Sequence, residues 1–361
     1  MKHPPVYYGD YLALDTILNS QKLKSKEYGE EAHDETLFII IHQAYELWFK
    51  QIIHELNSVY ALFNTKRVKP TDLGVVNHRL NRITQIQKIL VDQLSIIETM
   101  TPLDFMDFRD YLVPASGFQS IQFRIVELRL GLRQEYRLGI DKKFFNSRLK
   151  KSDQVFLEKM EEEPTFLELV DAWLSRMPFG KTEDFDFWTE YEASVSKMLD
   201  SDQEIIESNE TLHPKEKEME LKMLEATREN FNCLFDAKKY AKLKEQGLVR
   251  LSREAKLAAI FIQLYKNEPI FQAPGLLLDS LLDIDEQFST WRYRHAIMVH
   301  RILGTKIGTG GSSGHEYLKR STENNRVFLD FFNLATFLIP KPYIPTLPEK
   351  IKAELGFIHE D

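Results

Sequence analysis

The 361-residue chain is predicted to be all-α. Apolar residues recur every three or four positions over long stretches, strand-like alternation is nearly absent, and no repeat of about 20 to 50 residues suggests a solenoid. We therefore expect one large helical bundle domain over residues 1–361. A protruding, charged helical hairpin is expected within a variable excursion at about 140–250.

The first strong helix runs from Asp34 to Phe63, where apolar residues at 38, 41, 45, 48, 52, 56, 59 and 63 follow a helical period and Asp34 is a suitable N-cap. Its second face, with Leu37, Ile40, Ala44 and Leu47, is also apolar, which predicts cover on more than one side and a central position. Residues 80–112 read as helix, ended by Pro114. A corner at VPASG precedes a helix marked by Phe118, Ile121, Ile125, Leu128 and Leu132. Between about 150 and 250 the charge runs EKMEEEP and EIIESNETLHPKEKEMELKMLEATREN belong on solvated helical faces. Helices are expected again over 251–266, 274–304 and 322–338, before IPKPYIPTLPEK, whose prolines stop a helix.

Composition narrows the function. A formal charge of −8 disfavours a nucleic-acid partner, because such modules are basic with clustered Lys and Arg. The single cysteine, Cys233, allows neither an intrachain disulfide nor a cysteine-rich zinc cage, and it fits a reducing, cytoplasmic setting. The N-terminal MKHPPVYYGDYLALD lacks the apolar core of a signal peptide. No stretch approaches the roughly 20 apolar residues of a membrane span, so a soluble, unprocessed chain is expected. The 24 phenylalanines provide apolar walls suited to a flat ligand.

Three constellations can carry chemistry. In STWRYRHAIMVHRILGTKIGTGGSSG, His295 shares a helical stripe with Trp291, Met298 and Ile302, whereas His300 falls about 140° away around the helix. A histidine in such a stripe is either a satisfied core residue or an axial haem ligand. The following glycines, Gly308, Gly310, Gly311 and Gly314, lack the Lys-Ser/Thr of a phosphate loop; they suit either a plain loop or a mobile lid with Thr309 at its middle. On the first long helix His42 sits among Phe38, Tyr45 and Phe49, as a buried hydrogen-bonded group or as the polar contact of a heteroaromatic substrate. In LDFMDFRDYLVPASGFQ, Phe105 and Arg109 share a helix face; Arg109 either pairs with Asp107 or Asp110 or clamps a carboxylate. Two Glu-x-x-His pairs, Glu30 with His33 and Glu210 with His213, formally match a di-iron bundle, but neither joins an apolar helix face, and HExxH is absent.

Four blocks together, YGDYLALDTIL, HDETLFIIIHQAYELWFKQIIHEL, TPLDFMDFRDYLVPASGFQSIQFR and WRYRHAIMVHRILGTKIGTGGSSG, resemble the tryptophan 2,3-dioxygenase family. They cover under a third of the chain, from both ends and in family order. The resemblance implies one haem b per subunit, with His295 as its proximal iron ligand and His300 structural. Phe105, Ser116, Trp291 and Gly308 would surround the cofactor. His42 would lie beside the indole nitrogen, with Phe38 as a wall. Arg109 would take the carboxylate of L-tryptophan, and Thr309 would meet its ammonium and carboxylate end. Tyr8, Tyr11 and Leu12 would reach a neighbouring subunit's site in a homotetramer.

The reaction so implied inserts dioxygen across the indole C2–C3 bond to give N-formyl-L-kynurenine, the first step of tryptophan catabolism by the kynurenine route. His315 departs from the family pattern just after GTGGSSG. A haem-based sensor or carrier without turnover would share the iron site, and a cofactor-free helical interaction protein would use both histidines as core residues.

Overall fold

The computed structural model describes residues 3–137, 149–177, 185–304, 306, 318, 322 and 325–355. Regular structure among them is α-helix with short 3₁₀ turns, and no sheet forms. In chain order the helices are α1 (Tyr8–Leu12), α2 (Leu14–Leu18), α3 (Lys24–Tyr28), α4 (His33–Phe63), α5 (Pro70–Ile97), α6 (Pro102–Arg109) and α7 (Ile121–Leu130). They continue with α8 (Lys151–Glu161), α9 (Phe166–Leu174), α10 (Phe187–Ser208), α11 (Pro214–Phe235) and α12 (Ala237–Glu245). The last four are α13 (Arg253–Leu264), α14 (Pro269–Leu303), α15 (Leu329–Phe332) and α16 (Glu349–Leu355). No helix is long and apolar enough to cross a membrane, among the described residues.

Contacts divide the chain into two compact units. The first comprises Met1–Glu55, Ile83–Glu162 and Glu286–Arg326. Ile41, Tyr45 and Phe49 of α4 are buried in it, as are Ile83, Ile86, Leu90 and Leu94 of α5. Their spacing of three and four residues puts each set on one helix face, and burial of each such side chain contributes about 1.5–3 kcal/mol. The Tyr45 hydroxyl donates to the Leu90 carbonyl at 2.6 Å, which gives the buried phenol a partner. Leu128 of α7 packs with Leu149, Leu157 and Met160, extending this core toward α8.

The second unit comprises Leu56–Arg82, Glu163–Asp285 and Val327–Asp361. Helices α10 and α11 form the expected charged hairpin. Phe187, Tyr191, Val195 and Leu199 are buried along α10, whereas Ile205, Met219 and Met223 farther along the hairpin are exposed. The caps explain why these helices begin where they do. Asp186 accepts from the Trp188 N–H, His213 from the Lys215 N–H with Pro214 as the first helical residue, and Asp236 from the Lys238 and Lys239 N–H groups.

Several helix limits differ from expectation. Helix α4 begins at His33, so Asp34 lies in its first turn rather than at the cap. The second face of α4 is open in the single chain, with Ile40 47% and Leu47 56% exposed. The run expected over 80–112 is two helices. α5 starts at Pro70, and Thr101 opens α6 through a capping box with Asp104, ahead of Pro102. A 3₁₀ turn, Asp110–Leu112, and a cis Val113–Pro114 peptide follow. Helix α14 begins at Pro269 and carries Pro274 in its second turn. The stretch expected as helix over 322–338 is helical at residue 322 but not at 325–328, which α15 and a 3₁₀ turn, Asn333–Phe337, follow. Its N–H groups at Val327 and Phe328 go to the buried carboxylate of Asp285, each at 3.0 Å, rather than to a helical ladder.

Candidate functional site

The first unit carries a cavity of about 300 Å³ that is open to solvent beside His42, which is exposed in the single chain. Helix α4 supplies Phe38, His42, Tyr45 and Phe49 to its wall, four residues that a helix brings to one face. Phe105 comes from α6, Ser116, Gly117 and Phe118 from the corner after it, and Phe123 from α7. Helix α14 presents Trp291, His295, Met298 and Ile302, the stripe read from the sequence. The rings interlock: Phe38 lies 5.7 Å from Phe105, Phe123 lies 5.4 Å from Phe49 and 5.2 Å from Trp291. Such tilted contacts give a stiff apolar box.

Two imidazoles face this box. His295 lies flat on Trp291, with ring centroids 5.0 Å and planes 5° apart. Its Nδ1 is buried, and neither ring nitrogen makes a hydrogen bond among the described residues. Burial first, and the neighbouring His42 second, push the His295 imidazole down to about 4. It is therefore neutral near pH 7. His42 hydrogen-bonds through Nδ1 to the Phe38 carbonyl oxygen at 2.6 Å. A carbonyl only accepts, so Nδ1 carries the proton and Nε2 keeps its lone pair. Burial lowers the His42 basicity as well, against the opposing pull of the Phe38 carbonyl and Glu46.

One end of the cavity is charged. Glu127 is 3% exposed and accepts from Arg137 and Arg292, each at 2.7 Å. Burial alone would raise the Glu127 carboxyl, but the two guanidiniums hold it below the usual range. Arg292 also donates to the Asn325 carbonyl at 2.8 Å, while Arg124 donates to the Phe118 carbonyl through Nε and Nη2. Arg124, Arg137 and Arg292 are all buried, and two of them share the Glu127 carboxylate. Nothing in the sequence singled out Glu127, Arg124 or Arg137. Their one signal is charge placed among apolar residues, at Arg124 and Glu127 within IQFRIVELRL and at Arg292 beside the Trp291 stripe.

The cavity thus brings together Phe38, His42, Phe105, Ser116, Trp291 and His295. Arg109 ends α6, one turn beyond Phe105, and is half-buried outside the described wall. His300 is exposed and absent from that wall. Tyr8, Tyr11 and Leu12 are 74%, 77% and 36% exposed in the single chain. Gly308 and Thr309, with the glycine loop around them, lie outside the described residues. Of the Glu-x-x-His pairs, His213 caps α11, and no group of three or more His, Cys, Asp or Glu side chains converges among the described residues.

The fold and cavity define a class: an all-α protein with an aromatic cavity that carries two imidazoles and a cluster of buried guanidiniums on its wall. The tryptophan 2,3-dioxygenase family model matches residues 2–338. A tryptophan 2,3-dioxygenase of Alteromonas mediterranea is 56% identical over 353 residues, covering 98% of each chain. One from Bdellovibrio bacteriovorus is 48% identical over 357 residues, covering 99% of each, and one from Dictyostelium discoideum is 46% identical over 353 residues, covering 98% of this chain and 88% of its own. The chain belongs to the tryptophan 2,3-dioxygenase family.

Proposed function

We propose that this chain is a haem-dependent dioxygenase that converts L-tryptophan and dioxygen to N-formyl-L-kynurenine. The observation that carries the proposal is His295: a neutral imidazole on the wall of an aromatic cavity, with no protein hydrogen-bond partner described, in a chain of this family. The donor set fits haem b. His295 would ligate its iron, Trp291, Phe105 and Ser116 would line the space that it takes, and the guanidiniums of Arg124, Arg137 and Arg292 would suit its carboxylate side chains. Gly308 is assigned to the same group by the family resemblance.

When bound, the haem supplies the activation of dioxygen, whose two atoms end on the former indole C2 and C3. The protein positions the substrate. The unprotonated Nε2 of His42 accepts the indole N–H, an orienting role that needs no proton abstraction. Phe38 walls the ring, Arg109 takes the carboxylate, and Thr309 completes the amino-acid end.

A homotetramer in which Tyr8, Tyr11 and Leu12 enter a neighbour's site is proposed on their exposure and on the open apolar face at Ile40 and Leu47. Cytoplasmic placement is proposed on the lone Cys233.

The test is anaerobic reduction of the haem-loaded protein, followed by L-tryptophan and oxygen, with absorbance read at the Soret band and at the product band. Product growth is expected, and His295→Ala should abolish the normal Soret spectrum. A Soret band with no product would mark a sensor or carrier instead. An unaltered axial-histidine spectrum in His295→Ala would mean that another residue ligates the iron.

A further inference from the structure

The segment before α4 is fastened by one buried carboxylate. Glu35, fully buried in the first turn of α4, accepts the N–H groups of Lys24 and Ser25 at 2.7 and 2.9 Å and the hydroxyl of Ser25. The Ser25 oxygen in turn accepts the Ala32 N–H at 3.0 Å. The start of α3 is thus tied to α4, and Ala32, just before α4, is tied back to α3; the same face of α4, three and seven residues on from Glu35, carries Phe38 and His42.

So held, α3 packs on α6 and on the Asp110–Leu112 turn that directly follows Arg109. Tyr28 stacks on Tyr111 with ring centroids 6.2 Å and planes 29° apart. Gly29 is closer still: a Cβ there would stand 2.7 Å from the Tyr111 hydroxyl oxygen, nearer than real Cβ contacts allow, and 3.5 Å from the ring carbon bearing it. A methyl group at Gly29 would therefore displace the Tyr111 side chain, whereas no positive φ calls for glycine there.

We propose that the Glu35–Ser25 clasp, Tyr28 and Gly29 are positioning residues that set Arg109 through Tyr111, and so set how tightly the substrate carboxylate is held. The inference rests on the assignment of that carboxylate to Arg109. No residue of the clasp touches substrate; the clasp fixes the turn from which the guanidinium is presented.

The experiment measures binding of L-tryptophan and of tryptamine, which lacks the carboxylate, to the haem-loaded enzyme. Gly29→Ala should weaken L-tryptophan about tenfold, equal to about 1.4 kcal/mol, and leave tryptamine within about twofold, with KM raised and kcat unchanged. Adding Tyr111→Phe to Gly29→Ala removes the clashing oxygen and should restore the affinity of Tyr111→Phe alone. Tyr28→Ala, at an exposed position, should give a smaller loss of the same kind. In the Arg109→Ala background Gly29→Ala should have no further effect. Equal losses for both ligands, or none, would overturn the clasp's role. Arg109→Ala that weakens tryptamine as much as L-tryptophan would instead remove Arg109 as the carboxylate partner, and the proposal with it.

Discussion

Trp291 and His295 lie one helical turn apart on α14 with their ring planes parallel to within 5°. The indole thus fixes the plane of the imidazole, a task that a hydrogen-bond partner commonly performs for a metal-binding histidine. Trp291→Ala is expected to speed haem loss from the loaded protein by about tenfold to 100-fold, the usual effect of removing such support. Transfer to an apo-globin scavenger measures it. A rate equal to wild type would show that the stack does not orient His295.

Acid should weaken the cofactor-free protein earlier than its carboxylates alone would. His295 is depressed to about 4 in the fold, whereas an unfolded chain titrates its histidines near 6.5. Below about pH 6.5 the unfolded state takes up a proton that the folded state refuses, so stability falls as pH drops toward 4. The depression amounts to roughly 2–4 kcal/mol across that window. His42 shifts in the same direction. Urea midpoints at pH 7 and 5 should show the decline, and His295→Gln should flatten it. Glu127 cannot produce this effect, because its lowered carboxyl loses its contribution only below its ordinary value of 4.5.

Glu127→Gln should be among the most destabilising single substitutions in the first unit. It leaves Arg137 and Arg292 buried without their shared counter-charge, at a cost of about 3–5 kcal/mol. Chemical denaturation of the variant checks it, and a loss below about 1 kcal/mol would show that solvent reaches the pair.

Arg109→Ala should weaken L-tryptophan by about 1.5–3 kcal/mol, the worth of a charge-assisted hydrogen bond, or roughly tenfold to 150-fold. Equilibrium binding to the loaded enzyme decides, and unchanged affinity would reassign the carboxylate to another cation.

The aromatic half of the cavity was legible in the sequence because α4 and α14 place Phe38, His42, Trp291 and His295 by local helical period alone. The charged half was not. Glu127, Arg137 and Arg292 meet only through tertiary packing, and 165 residues separate Glu127 from Arg292. Helix limits failed where a single side chain overrode the period: Thr101 broke 80–112 through its cap, and Asp285 drew the Val327 and Phe328 N–H groups out of a helix. The Thr-Pro-Leu-Asp at 101–104 was a readable start signal. Asp285 carried none, since its partners lie more than 40 residues away.

Glu127 also sits at a junction of the chain's path. Arg137, which it holds, immediately precedes residues 138–148, and Arg292, which it also holds, bonds the Asn325 carbonyl just beyond residues 305–324. One carboxylate therefore secures the departure point of one stretch and the return point of another. Loss of that carboxylate would therefore free two distant points of the chain at once, Arg137 and the Arg292–Asn325 contact, and not a single loop end.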